Sequence, residues 1–474
     1  MPYNDLREFI AKLEQEGELR RIKAEVDWYL ELNHIAKLNE EQLGPALLFE
    51  NVKGYKIPVL ASAIATPSRL ALALDLPKTT PLIETIRAWV ERTKPEKRTP
   101  PVWVKDRKAP CKENVIEGDK VDITKFPVPH LYPRDGGRYI TTGCTITKDP
   151  ETGWVNIGVY RIQVHDKQTL GTQFIVGKHA EIMLRKYAER NEPMPVAVVI
   201  GADPTIFLVG SSRVPPEESE YDYAGGLRGK PVEVVKGETV DLPVPAGAEI
   251  VIEGEVDPKA LKEEGPFGEY TGYYSGLGKV PRPFIKIKCI THRDNPIFWH
   301  TSVGRPVTEQ HWTLSLTHTA ALWSELEAMG IPGIKAVYCP PDGCGRFIAI
   351  ISVKQMYPGH TMQVGTAAIS TEMGHYGLKT VIIVDDDIDP TDISRVLWAL
   401  AVRCQPARSV EIIKRGRSTP LDPSLPPDPI ARLITSRMII DATIPYEWKE
   451  KPIVIELDKG VVEKVKARWK ELFG

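Results

Sequence analysis

Apolar positions recur at helical spacing from the start of the chain. Over 5–19, Leu6, Phe9, Ile10 and Leu13 share one face, with a polar cap before them and Gly17 near the end, which predicts an amphipathic helix. An α/β texture continues to about Glu91. Between Lys94 and Gly137 it is broken by Pro95, Pro100, Pro101, Pro110, Pro127, Pro129 and Pro133, which prevent continuous helix or central strand and mark a first domain boundary. From Ile140 the period shortens to two. TTGCTITKD, GWVNIGVYRIQVHD, TLGTQFIVG, PVAVVIGADP, PVEVVKG, AEIVIEGEV and PFIKIKCITHRD are β-branched runs divided by Gly, Pro and Asp. They predict an antiparallel barrel or sandwich with one inserted helix at 179–191. Beyond about Glu309, a helix at 313–329 alternates with the strands FIAIISV, TVIIVDDD and SVEIIKR, as in βαβ units with a parallel sheet. A second cluster (Pro420, Pro423, Pro426, Pro427, Pro429) detaches the tail. There Val461, Val462, Val465, Trp469, Leu472 and Phe473 recur at helical spacing with lysines opposite. Such a helix needs a surface to cover, on its own chain or on another subunit.

Composition narrows the function classes. The 474 residues allow about three domains, and 42% hydrophobic content supplies each with a core. Sixty-one basic residues against 63 acidic ones give a charge of -2, which excludes a nucleic-acid footprint and a polybasic membrane patch. No apolar run approaches the ~20 residues that cross a bilayer, and the opening MPYNDLREFI lacks a signal-peptide plan, so a cytoplasmic location is expected. Six cysteines are too few for a disulfide scaffold, and none form CxxC pairs. The 41 prolines and 36 glycines point to many turns and a mixed α and β protein.

The chain has no GxGxxG, P-loop, HExxH or GxSxG signature. The acidic run at 385–389 lacks the Gly and Glu of a calcium loop and reads as a solvated turn after a strand. Three features remain. In EGPFGEYTGYY, Glu264 and Glu269 flank a Gly-Pro turn. Two carboxylates near one arginine can be driven to different pKa values, one acid and one base, although composition alone favours a surface turn with two solvated glutamates. In NIGVYR, strand alternation sends Arg161 to the face opposite Asn156 unless a bulge intervenes, and a lone Arg in a strand is usually a surface cation. Asn156, His179 and Glu220 are donors of the kind Mn²⁺ accepts, but their spacing is no metal motif. A fourth segment, 299–306, sets Trp299, His300 and Arg305 after a strand, where they would suit an aromatic carboxylate or simply a packed Trp beside an exposed Arg.

The stretches TTGCTITKDPETGWVNIGVYR, GKHA, SEYDYAGGLRGKPVEVVK, VPAGAEIVIEGEV, EGPFGEYTGYY, VIIVDDDIDP and SRMIIDAT run through most of the chain. Together they resemble the UbiD-type decarboxylases, which use prenylated FMN to add or remove CO₂ on aromatic and α,β-unsaturated acids. The resemblance implies a multidomain α/β (α+β) chain with an N-terminal α/β part at 1–115, a central split β-barrel binding flavin at 116–308, and a C-terminal α/β oligomerisation domain at 309–474. It places Arg161, Glu264 and Glu269 in a Glu-Arg-Glu catalytic network, with Glu269 as proton donor. It places Asn156, His179 and Glu220 on Mn²⁺, with K⁺ nearby, bridging the cofactor phosphate. Thr141, Lys178, Ser211, Ser212, Arg213 and Lys379 are the further flavin contacts it implies.

His300 and Arg305 would face substrate, and as a pair would hold a second carboxylate, so a furan or pyrrole dicarboxylate is the sharpest expectation. Within the family, a hydroxybenzoate or protocatechuate decarboxylase, or a carboxylase, is the alternative. Outside it stand a flavin-binding oxidoreductase and a non-catalytic carboxylase subunit. Against the last, the chain retains Arg161 and both glutamates. Implied partners are a flavin prenyltransferase that supplies the cofactor and further copies of the chain, as homodimer or homohexamer.

Overall fold

The computed structural model describes residues 3–106, 109–274, 278–426 and 433–473; Pro427 and Pro429 of the second proline cluster lie outside them. Residues Leu6–Gln15 form the first helix, capped by Asp5, which accepts from the Glu8 amide, and Leu6, Phe9, Ile10 and Leu13 are its buried face. This helix belongs to an N-terminal layer around a four-stranded sheet in the order Leu19–Ile22, Ala46–Phe49, Val59–Ala61, Phe298–Trp299. Its last strand comes from far along the chain and pairs in parallel with Val59 and Leu60.

The central sheet has nine strands. Its main path runs Arg138–Ile140, Ile162–Val164, Thr169–Thr172, Val280–His292, Ile250–Glu264, Met194–Ile200, Cys144–Lys148, Val155–Val159, and Asn114–Glu117 pairs with Val280–His292 off this path. That strand straddles the boundary expected at 115/116. The connections dictate the sheet's shape. Val155–Val159 feeds through Tyr160 and Arg161 into Ile162–Val164, six places away in the strand order, and Arg138–Ile140 feeds through residues 141–143 into Cys144–Lys148, again six places away. In a flat sheet six inter-strand steps measure ~29 Å. The two links reach only ~11 and ~14 Å at ~3.6 Å per residue. The sheet must therefore curl until its edges nearly meet, giving a split barrel whose seam is crossed by Thr141 and by Arg161. The inserted helix is His179–Arg190, closed by Asn191 in the left-handed region.

The C-terminal part is a five-stranded sheet in the order Ile334–Tyr338, Ile348–Val353, Thr380–Asp385, Ile434–Ala442, Val410–Arg417. Its three inner strands are parallel, as the alternating pattern predicts. Both edge strands are antiparallel to their neighbours. The acidic turn after Thr380–Asp385 is not merely solvated: Asp385 and Asp387 clamp Arg403 at 2.9 and 2.6 Å. Helix Glu309–Ala328 starts four residues earlier than its pattern predicts, at a capping box between Thr308 and His311. The main hydrophobic core runs from Tyr3 to Ala442, and Leu131, Tyr139, Phe267, Tyr270, Val303 and Leu314 form a second, smaller buried cluster. Among the described residues no helix is long and apolar enough to cross a membrane.

Two carboxylates pin the N-terminal layer to this helix. Glu40 accepts from the Ser62 hydroxyl (2.8 Å) and the Glu309 amide (3.2 Å), while Glu309 accepts from the Ile64 amide (2.8 Å). Both are buried, and burial raises both above the ordinary carboxyl range. Protons held by the folded state are released on unfolding, so this stabilisation is full at low pH and is lost as pH rises through the raised values. The melting temperature of the wild type should fall by about 5 °C or more between roughly pH 5 and pH 9, and Glu309→Gln should flatten that fall in scanning calorimetry.

Candidate active site

Residue Arg161 stands where the strand Val155–Val159 has ended and Ile162–Val164 has not begun, so strand alternation does not apply to it. It therefore lines the same cavity as Asn156, on which alternation alone would have placed it opposite. Its guanidinium takes Glu264 in a two-pronged grip, Nε to Oε1 at 3.0 Å and Nη2 to Oε2 at 2.7 Å, and its Nη1 donates to Glu269. Tyr139 donates to Glu264 at 3.2 Å, and the Phe267 ring lies 5.3 Å under the guanidinium. Glu264 holds Arg161 from behind, while Glu269 reaches the cavity wall with a single guanidinium contact. The turn carrying both glutamates opens at Gly265, with φ +94°, in a region that disfavours a side chain.

The cavity, about 250 Å³, runs from this network toward the C-terminal part. Thr141, Asn156, Arg161, Lys178, His179, Ser211, Ser212, Arg213, Glu220 and Glu269 all line it. Thr141 donates to the Thr301 carbonyl at 2.8 Å. His179 Nδ1 meets Asn156 Oδ1 at 2.9 Å, which leaves Nε2 as its free nitrogen when Nδ1 carries the proton. Burial pulls His179 down to about 4, so the ring is neutral, and burial pushes Glu220 up to about 8. Asn156 Nδ2 is buried with no partner. A neutral imidazole, an amide oxygen and a carboxylate with no cationic side chain among its influences fit a divalent cation, whose charge would favour the ionised Glu220.

Farther along, four cations surround the ring of Tyr376: Lys178 at 4.9 Å, Arg213 and Arg417 at 5.1 Å, and Arg346 at 5.6 Å. Burial lowers Arg213 to about 10 and Lys178 well below its ordinary value, and the neighbouring arginines add to both effects. Arg213 Nε and Nη2 and Arg346 Nε are buried without partners. Glu372 is the carboxylate facing Arg213, at 3.7 Å. Crowded cations with unused donors fit a phosphate group.

Three expected residues lie elsewhere. His300 is fully buried behind the wall, between Thr141 Oγ1 (3.1 Å) and Asn33 Oδ1 (3.1 Å), and burial pulls its ring down to about 3. Arg305 is exposed, so the two do not form the dicarboxylate clamp expected of them: the chain turns after Trp299 and sends them to opposite environments. Lys379 is tied to Asp422 (3.2 Å) and Ser424 (2.9 Å) and does not line the cavity. Conversely, Arg346, Tyr270, Gln310 and His318 line it unpredicted. Tyr270 lies within EGPFGEYTGYY, next to Glu269, whereas no motif marks Gln310 or His318; for Arg346 the Gly345-Arg346 step inside a Gly-rich turn was the available signal.

Models of the three 3-octaprenyl-4-hydroxybenzoate carboxy-lyase domains match in order: the N-terminal domain at 10–89, the Rift-related domain at 102–306 and the C-terminal domain at 311–442. A protein of Archaeoglobus fulgidus described only as uncharacterized is 38% identical over 492 residues, covering 100% of this chain and 99% of its own. The closed form of Sedimentibacter hydroxybenzoicus vanillic acid decarboxylase superposes with a TM-score of 0.89 at 34% identity, covering 100% of both chains. The UbiD-class enzyme HmfF from Pelotomaculum thermopropionicum, solved with FMN, gives 0.87 at 32% identity, covering 97% of this chain and 98% of its own. Klebsiella pneumoniae 3,4-dihydroxybenzoic acid decarboxylase gives 0.83 at 28% identity, covering 99% and 100%. With every domain matched, in order and nearly end to end, the chain belongs to the UbiD family of carboxy-lyases.

Proposed function

We propose that the protein decarboxylates an aromatic acid with prenylated FMN, Glu269 giving the proton that replaces CO₂. The observation that carries this is the grouping of Arg161, Glu264 and Glu269 at the barrel seam, beside a cavity lined by Asn156, His179 and Glu220 and by Arg213 and Arg346, whose guanidinium groups keep buried donors without partners. Decarboxylation leaves an electron pair on carbon that no side chain absorbs, and the modified flavin, when bound, supplies that electron sink. Arg213, Lys178 and Arg346 would hold its phosphate, with Mn²⁺ on Asn156, His179 and Glu220 and K⁺ nearby. Arg161 orients the substrate carboxylate and the Glu269 carboxyl toward one another. Glu264 keeps the guanidinium in place, and burial of both glutamates limits the access of water to the proton transfer.

The reading favours a single carboxylate on a ring bearing a polar substituent over the dicarboxylate. Tyr270 Oη, Thr301 Oγ1 and Gln310 Oε1, all on cavity-lining residues, are buried without partners, between the apolar side chains of Phe267, Val303, Leu314 and Leu421. Vanillic and 3,4-dihydroxybenzoic acid are the substrates named for two of the structural relatives. Carboxylation is the reverse of the same chemistry.

Association with further copies is part of the proposal. After Tyr446 the chain exposes Ile453, Ile455 and Leu457 at 94%, 97% and 81%, and the helices Lys459–Ala467 and Trp469–Phe473 have no buried residue.

Co-expression with a flavin prenyltransferase should yield ¹³CO₂ exchange on aromatic acids that the chain expressed alone lacks; activity in both samples would sink the cofactor assignment. Glu269→Gln should bind flavin normally yet lose at least ~100-fold in turnover, read as CO₂ release. Arg213→Ala should weaken binding of FMN by about tenfold or more in fluorescence titration, and salt should narrow the difference. A chain ending at Lys451 should sediment as a smaller species than the full chain, with its fold intact by circular dichroism.

A further inference from the structure

The turn that carries Glu269 is clasped from outside the cavity by the segment just before the first barrel strand. The Gly268 amide donates to Asp135 Oδ1 at 2.9 Å, and the Tyr132 amide donates to Asp135 Oδ2 at 3.0 Å. The Gly136 amide donates to the Pro266 carbonyl at 2.8 Å, and the Arg134 amide to Tyr274 Oη at 3.2 Å. A Cβ on Gly136 would stand 2.1 Å from the Gly265 carbonyl oxygen, so the two backbones meet with no room for a side chain. Gln163, next to the seam, accepts from the Gly265 amide at 3.0 Å. Asp135 is 7% exposed and does not line the cavity. Its hydrogen-bonded link to the chemistry is the peptide unit that precedes Glu269.

We propose that Asp135 is a positioning residue: by fixing the Gly268 amide, its carboxylate sets where Glu269 presents its own carboxyl to the cavity. This rests on the reading of Glu269 as proton donor. Its two amide donors and the nearby Arg161 favour the charged form, but burial outweighs them and pushes Asp135 up to about 6. It is ionised at neutral pH and loses acceptor capacity as pH falls through about 6.

The charged and titratable groups facing it are Arg161 at the seam, Tyr132 and Tyr139 on its own stretch, and Tyr274 at the end of the turn. All three phenols are raised, away from this range. His130, bonded to the Tyr132 carbonyl, is lowered by burial and needs its own control. The direction separates the roles. A proton-donor carboxyl fails as pH rises, whereas the Asp135 clasp fails as pH falls. Global stability runs the opposite way, because complete unfolding hydrates Asp135, whereas release of the Gly268 amide alone leaves the carboxyl buried with a donor lost and is favoured by its protonation; neutralising it should not weaken the fold at pH 8.

Hydrogen exchange of the 264–274 peptide, corrected for intrinsic rates and measured on the cofactor-free chain, reads the clasp without any turnover. Wild type should be protected near pH 7.5 and lose about tenfold of that protection toward pH 5, and Asp135→Asn should be equally exposed at both. In the loaded enzyme Asp135→Asn should lose at least ~10-fold in kcat, change KM less than ~3-fold, and lack the acid limb near pH 6, while His130→Gln keeps it. Wild-type protection of the peptide in Asp135→Asn would overturn the proposal. Should that variant not fold, wild-type protection that stays flat from pH 7.5 to 5 would overturn it as well. A wild-type enzyme that releases CO₂ from no aromatic acid would instead remove the proposed function, leaving the exchange result to judge the clasp alone.

Discussion

Six strand widths have to be crossed by two or three residues, twice, and that mismatch of ~29 Å against ~11–14 Å is the constraint on which the rest depends. It closes the sheet far enough to make an interior, and it leaves irregular backbone at the one place where the edges approach. Irregular backbone frees residues from strict alternation. That is why Thr141, Asn156 and Arg161 can face a common space although they sit on different strands and connectors. The two glutamates arrive from the opposite side, at the end of the longest strand, Ile250–Glu264, and meet Arg161 across the seam.

Electrostatics divides the cavity into two ends with different needs. At the seam, one guanidinium is shared by two buried carboxylates, and leaving either unpaired costs about 3–5 kcal/mol. At the Tyr376 end, cations are packed against one another with donors to spare, so the repulsion awaits an anion. A ligand with a phosphate at one end and an electron-accepting ring at the other spans both requirements.

The sequence carried much of this because local patterns carry local structure. The apolar face of Leu6–Gln15 and the β-branched runs of the barrel follow from periodicity alone. Strand order does not, since it depends on pairings between segments more than a hundred residues apart. Without it neither the curl nor the shared facing of Asn156 and Arg161 is readable. His300 and Arg305 look like a pair because they are neighbours in the chain, and one turn of backbone after Trp299 separates them. Arg346, Gln310 and His318 reach the cavity through helix and loop packing that no motif records. Lys379, expected from the resemblance to contact the flavin, is held by Asp422 instead.

The short strand Phe298–Trp299 belongs to the N-terminal sheet, yet the residues that follow it, Thr301 and Val303, form part of the cavity wall. The wall is thus the projecting end of a strand whose register is set in a different layer, against Val59 and Leu60. Repacking those two buried side chains would tilt or slide the wall without touching any residue that meets the substrate. Substrate preference in such a molecule can drift through changes in its hydrophobic interior, where a comparison of cavity residues alone would find nothing altered.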